Sequence, residues 1–272
     1  MPHLPSLLAV AAHPDDEVLA FGGVLAQHAA AGARTAVVTA TWASGTHRAV
    51  ELADAVRILG AGEPRLLGYA DHRVPDSSTG PRLCDAPLDR VVGDIVRHIR
   101  SFQPEIVITH DAYGGLTGHP DHLQTHRAVV LAVGAAGLEH LYPQAGAPCQ
   151  PAVLYAATHP HSAVADLGPL LTRVNKSVLS VPDQLVDVAV DVRPWLDTKM
   201  AAIIAHRSQV ERERPLPGIL ARLPEPERNQ IIGTEYFTRI HARPAPGRAT
   251  RVCCESAGHS HSLMAATSTV AS

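Results

Sequence analysis

Cysteine is scarce in this 272-residue chain, which holds only Cys84, Cys149 and the adjacent pair Cys253-Cys254. No two of them are spaced as CxxC, which argues against a cysteine-built zinc site. Adjacent cysteines seldom bridge each other, so a reduced, cytoplasmic protein is expected. Aromatic residues make up 4 % of the chain, too few for the stacking platform that single-stranded nucleic acid requires. Neither sign of charge dominates: the formal net charge is −3, so no electrostatic attraction to nucleic acid or to an anionic membrane is expected. No apolar run reaches the roughly eighteen residues of a membrane span. The apolar stretch from Leu4 is short and ends in charge, unlike a signal peptide. A GxGxxG fingerprint is also missing after the first apolar run. Carboxylates stand there instead and would repel a pyrophosphate, which argues against a nucleotide-binding module.

Histidine is abundant, with 17 copies, and its placement is informative. The run Leu7 to Ala12 reads as a strand buried on both faces. It leads directly into His13-Pro14-Asp15-Asp16-Glu17, followed by a helix over 17–31 that contains Gly22-Gly23 and stops at Gly32. Strands are expected at 34–41, 65–69, 105–109 and 152–157, and helices at 46–59, 88–102 and 121–136. This β-α alternation predicts an α/β protein with a Rossmann-like, doubly wound, mostly parallel sheet and helices on both faces. Residues 70–86 read as a long polar loop. Further on, 185–192 alternates like a half-exposed strand, 194–210 reads as helical, and 235–241 reads as a closing edge strand. One domain over 1–243 is expected, with a disordered tail over 244–272 that is rich in Pro, Gly, Ala, Ser and Thr.

The fourth strand is followed by a second cluster, His119-Pro120-Asp121-His122. If the sheet has the common doubly wound order, strands 1 and 4 are neighbours, and both clusters fall at the switch point where such folds bind ligands. A catalytic zinc site needs about three His or carboxylate ligands and an open position, and His13, Asp16 and His122 supply them. Such an ion acidifies water and polarises a carbonyl. Asp15 is placed to take the proton. His119 could stabilise an oxyanion or protonate a leaving amine, and Asp121 could orient a neighbouring histidine. His126, one helical turn beyond His122, is a rival ligand. The acidic run alone could be a helix cap, but two His-Pro-Asp clusters directly after strands favour the metal. Iron(II) is an alternative ion.

AHPDDE at 12–17, GHPDH at 118–122, Arg48 with Glu51 three residues on, Leu59-Gly60, Leu67-Gly68, and KMAAIIAHRSQ at 199–209 together resemble the LmbE-like, or PIG-L, family. The family is also called N-acetylglucosaminyl-phosphatidylinositol de-N-acetylase. The resemblance spans residues 6–240 and implies a Rossmann-like, metal-dependent hydrolase of N-acetylglucosamine derivatives. It implies His13, Asp16 and His122 as zinc ligands, Asp15 as general base, and His119 as the acid or electrostatic histidine with Asp121 as its partner. Arg48 and Asp76 are implied as substrate-binding residues. The expected function is therefore N-deacetylation of a small amino-sugar conjugate, with no nucleic-acid or membrane partner. An amidase for a larger acyl or thiol-conjugate amide is the alternative. Mycothiol-pathway members carry tyrosine two residues before the first histidine of the second motif. Thr117 stands there in this chain, with Tyr69 and Tyr113 as candidate substitutes.

Overall fold

A computed structural model describes residues 4–242; the expected tail, with Cys253, Cys254, His259 and His261, lies outside them. Seven strands form one sheet: β1 (Leu7–Ala11), β2 (Thr35–Thr41), β3 (Arg65–Tyr69), β4 (Ile106–His110), β5 (Val153–Thr158), β6 (Val188–Asp191) and β7 (Thr234–Ala242), in the order β3-β2-β1-β4-β5-β7-β6. The first five are parallel, and β1 pairs with both β2 and β4. The chain order therefore reverses at the β1–β4 crevice, as the doubly wound reading requires.

The helices are α1 (Asp16–Ala20), α2 (Gly22–Ala30), α3 (His47–Ile58), α4 (Leu88–Phe102), α5 (Pro120–Ala136), α6 (Val164–Arg173), α7 (Leu196–Ala205), α8 (Arg207–Val210), α9 (Leu216–Arg222) and α10 (Glu225–Ile232). Side chains alternate across a strand, so β1 feeds two cores. Leu7, Ala9 and Ala11 pack with Phe21, Leu25, Leu52 and Ile203 on one face. Leu8 and Val10 pack with Val91, Ile95, Ile99 and Val129 on the other. The apolar stripe of α4 (Val91, Val92, Ile95, Val96, Ile99) is wholly buried, the amphipathic pattern of a helix lying on a sheet.

Two elements differ from the sequence reading. The segment read as a closing edge strand, β7, lies inside the sheet, antiparallel to both β5 and β6. The edge is β6, only four residues long and with Ala189 and Asp191 exposed, features that blunt an open edge. The single helix expected over 17–31 is two helices broken at Phe21. Glu235 of β7 explains the break: its two carboxylate oxygens accept the Gly23 and Val24 N–H groups at 2.7 and 2.9 Å, capping α2. Gly23 is needed because a Cβ there would lie 2.4 Å from Val192 Cβ.

Glu235 also pairs with Lys199 at 2.7 Å, both side chains being almost fully buried. Removing one partner of a buried pair strands the other charge. Glu235→Ala is therefore expected to cost about 3–5 kcal/mol of stability, read as a lower midpoint in urea unfolding. A midpoint within error of the parent would disprove this role.

Candidate active site

Both His-Pro-Asp clusters sit where a strand hands over to a helix at the carboxyl edge of the sheet. His119 is the N-cap of α5: its Nδ1 accepts the Asp121 N–H at 3.2 Å, and Pro120 occupies the first helical position, where its missing N–H costs nothing. Asp15 is the N-cap of α1 and adopts φ 116°, a left-handed conformation rare outside glycine. A cavity of about 910 Å³ opens over these residues; Asp15, Arg48, His119 and Lys176 are among those that line it.

At its floor, three atoms form a triangle. His13 Nδ1 and His122 Nε2 are 3.1 Å apart, and each lies 3.3 Å from Asp16 Oδ2. Asp121 Oδ2 holds the far nitrogen of His13 at 3.0 Å, and the Gly114 carbonyl holds the far nitrogen of His122 at 3.1 Å. Both partners are acceptors, so those far nitrogens carry the protons. Two ring lone pairs and a carboxylate oxygen then converge, an arrangement that a cation between them would satisfy. The triangle's edges are close to the roughly 3.3 Å separating ligands of a tetrahedral ion with bonds of about 2.0 Å. His13, Asp16 and His122 thus fit a divalent metal.

The electrostatics agree. Burial lowers the basicity of His13, but hydrogen bonds to Asp121 and Asp16 outweigh it and push its pKa up to about 10: the carboxylates demand positive charge here. Burial would raise Asp16, yet the surrounding histidines, His122 and His110 foremost, hold its carboxyl well below the usual range. Burial, helped by neighbouring histidines, pushes His122 well below an ordinary imidazole and keeps its ring neutral. The rival His126 is otherwise engaged: its ring donates to the His110 carbonyl at 2.8 Å. His110 itself stays beside the triangle, its Nε2 accepting the Ala12 N–H at 3.1 Å and lying 3.4 Å from Asp16 Oδ2.

Asp15 lies beside the triangle, with its Oδ2 3.2 Å from Arg48 Nη2. Burial raises its pKa in spite of Arg48, which strengthens it as a base. His119 is depressed to about 4 by burial and by the nearby His13 and Arg73 charges. With Nδ1 accepting from Asp121, its neutral ring carries the proton on Nε2.

Three expectations are not met as stated. Asp121 serves His13 rather than His119: its carboxylate is 3.0 Å from His13 and 3.8 Å from His119 Nδ1, because only its backbone N–H faces His119. Asp76 is exposed and does not line the cavity. The acid of that loop that reaches inward is Asp71, 3.7 Å from His13 Nε2; the Ser77 hydroxyl accepts the Asp71 N–H and folds the loop so. Thr117 lines the cavity, but neither candidate tyrosine does: Tyr69 donates to Asp94 and Tyr113 is half exposed. Arg48 is buried at the cavity wall under Trp42, 5.3 Å from its ring. The buried pair of Glu17 and His206 was not legible in the sequence.

Fold and site together define an α/β protein whose sheet carries a buried His/Asp cluster that fits a divalent metal. Residues 8–133 match the family model PIG-L, described as GlcNAc-PI de-N-acetylase. The chain is 40% identical over 242 residues to the 1D-myo-inositol 2-acetamido-2-deoxy-alpha-D-glucopyranoside deacetylase of Rhodococcus opacus (strain B4), covering 75% of this chain and 81% of that relative. The chain belongs to the PIG-L family. A conserved protein of Thermus thermophilus superposes with a TM-score of 0.62 at 26% identity, over 90% of this chain and 99% of that one. The N,N'-diacetylchitobiose deacetylase of Pyrococcus horikoshii superposes with 0.61 at 19% identity, over 87% and 84%, a likeness of fold. Among the described residues, no helix is long and apolar enough to cross a membrane.

Proposed function

We propose that the chain is a zinc-dependent N-deacetylase that hydrolyses the acetamide of a small N-acetylglucosamine conjugate, with a glucosaminyl-inositol as the foremost candidate. The triangle of His13, Asp16 and His122 under a roomy cavity, flanked by a carboxylate and a neutral imidazole, carries this reading. The Rhodococcus relative supports the choice of conjugate.

His13, Asp16 and His122 would hold the ion, and Asp121 would fix the ring of His13. When bound, zinc supplies Lewis acidity toward water and the acetyl carbonyl. Asp15 takes the proton of the attacking water as the oxygen bonds to the carbonyl carbon. The His119 Nε2–H donates to the carbonyl oxygen as negative charge gathers there. Of the two roles open to His119, the neutral tautomer supports this one. Asp15, now a carboxylic acid, passes its proton to the departing nitrogen as the C–N bond breaks, giving acetate and the free amine. Arg48 keeps the Asp15 carboxylate turned toward the cavity and offers the cavity wall a cation for sugar hydroxyls.

The test is incubation of the zinc-loaded chain with 1D-myo-inositol 2-acetamido-2-deoxy-α-D-glucopyranoside, with free N-acetylglucosamine and a bulkier amide of the same sugar alongside. Acetate and primary amine are expected in equal amounts, fastest from the inositol conjugate. Absence of amine from all three would defeat the proposal, and preference for the bulky amide would transfer it to the amidase alternative.

A further inference from the structure

The KMAAIIAHRSQ segment at 199–209 has no part in the deacetylation steps above, yet it places His206 against the first cluster. His206 stands at the break between α7 and α8, and both its ring and the side chain of Glu17 are fully buried. Its Nε2 lies 2.7 Å from Glu17 Oε1. The other oxygen of that carboxylate, Oε2, accepts the Asp15 backbone N–H at 2.9 Å. Among the described residues His206 Nδ1 is buried without a partner, so the ring's hydrogen bonding there is spent on Glu17. Asp15 meanwhile holds φ 116°, a conformation that persists in a non-glycine residue only where surroundings over-determine it. The same segment is anchored next to this contact: the Ser208 N–H and hydroxyl donate to the two oxygens of Glu51 at 2.7 and 2.8 Å, one helical turn from Arg48, which grips the Asp15 carboxylate.

We infer that Glu17 and His206 are positioning residues for Asp15, forming a buried strut that holds its backbone in the left-handed conformation while Arg48 holds its carboxylate. This rests on the reading of Asp15 as the base. The strut is fully buried, and its hydrogen bonds run to Asp15 and within the pair rather than to the three atoms of the triangle. Its loss should therefore lower kcat while leaving KM and metal content in place. A displacement of about 1 Å of a catalytic group costs on the order of 100-fold in rate, which sets the scale.

The experiment is a double-mutant cycle on the zinc-loaded chain. His206→Leu is expected to lower kcat by about 10–100-fold, with KM and zinc stoichiometry unchanged. In an Asp15→Asn background the same substitution should change the residual rate by less than about threefold, because residues that act as one unit are not additive. His206→Gln, which keeps a donor for Glu17, should recover most of the lost rate. Should the leucine variant fail to fold, His206→Asn, polar but too short to reach Glu17, carries the same expected loss. An equal loss in both Asp15 backgrounds, a loss of zinc, or an unchanged kcat would each overturn the strut. An Asp15→Asn variant with parental kcat would instead remove Asp15 from the reaction, a failure of the underlying reading that the single mutant reveals by itself.

Discussion

Asp15→Ala is expected to lower kcat by about 10²–10⁴-fold, the range that general acid–base catalysis contributes, while the protein still binds one zinc per chain. Asp15 is the one carboxylate of the first cluster that lines the cavity without a place in the triangle. Its partner is Arg48 at 3.2 Å, whereas Asp16 Oδ2 lies 3.3 Å from ring nitrogens of both His13 and His122. Removing the Asp15 carboxylate takes away the proton acceptor and leaves the three metal-holding atoms untouched. Steady-state kinetics beside metal analysis of the same sample check the claim. Near-normal turnover would exclude Asp15 as base, and loss of zinc would make it a ligand.

His122→Ala should have the complementary result: zinc is no longer retained through dialysis, and turnover disappears with it. Two of the three protein ligands cannot hold what three do, and the hydrogen bond from His122 to Gly114 shows a ring fixed for that task. Asp121→Asn gives a graded comparison. It keeps an acceptor for His13 but removes the charge, so zinc affinity should fall by about 10–100-fold, the usual cost of losing a carboxylate that orients a ligating histidine. Competition with a chromophoric chelator orders the parent, Asp121→Asn and His122→Ala. If Asp121→Asn left zinc affinity unchanged and affected only kcat, the carboxylate would belong to His119 after all.

Much of this site is legible in one dimension because it is built at the ends of buried strands. Leu7 to Ala12 and Ile106 to Thr109 are continuous apolar runs, and the residues that follow such strands at a switch point face the ligand crevice whatever the rest of the fold does. Spacing then selects His13 with Asp16, three apart at a helix start. The long loop after β3 offers no such rule. Asp71 and Asp76 are both acids in an aperiodic segment. The turn at Pro75–Ser77, with Ser77 Oγ bonded to the Asp71 backbone, decides which of them points inward. Asp121 illustrates a subtler limit: its position is evident from the motif, its partner is not. Whether its carboxylate meets His13 or His119 depends on the rotation of α5 against the β1–α1 junction.

By itself, then, the amino-acid sequence determined the β-α alternation of a doubly wound sheet and the two His-Pro-Asp clusters at strand ends, from which His13, Asp16 and His122 stand as the candidate metal ligands, since strand burial and helix starts are set by neighbours along the chain. Tertiary structure alone decided the pairing of Asp121 with His13, the inward turn of Asp71, the break of the first helix by Glu235, and the contact of His206 with Glu17, 189 residues away. Those contacts follow from how helices rotate and settle on the sheet, and that is set by the packing of two whole cores rather than by any local pattern.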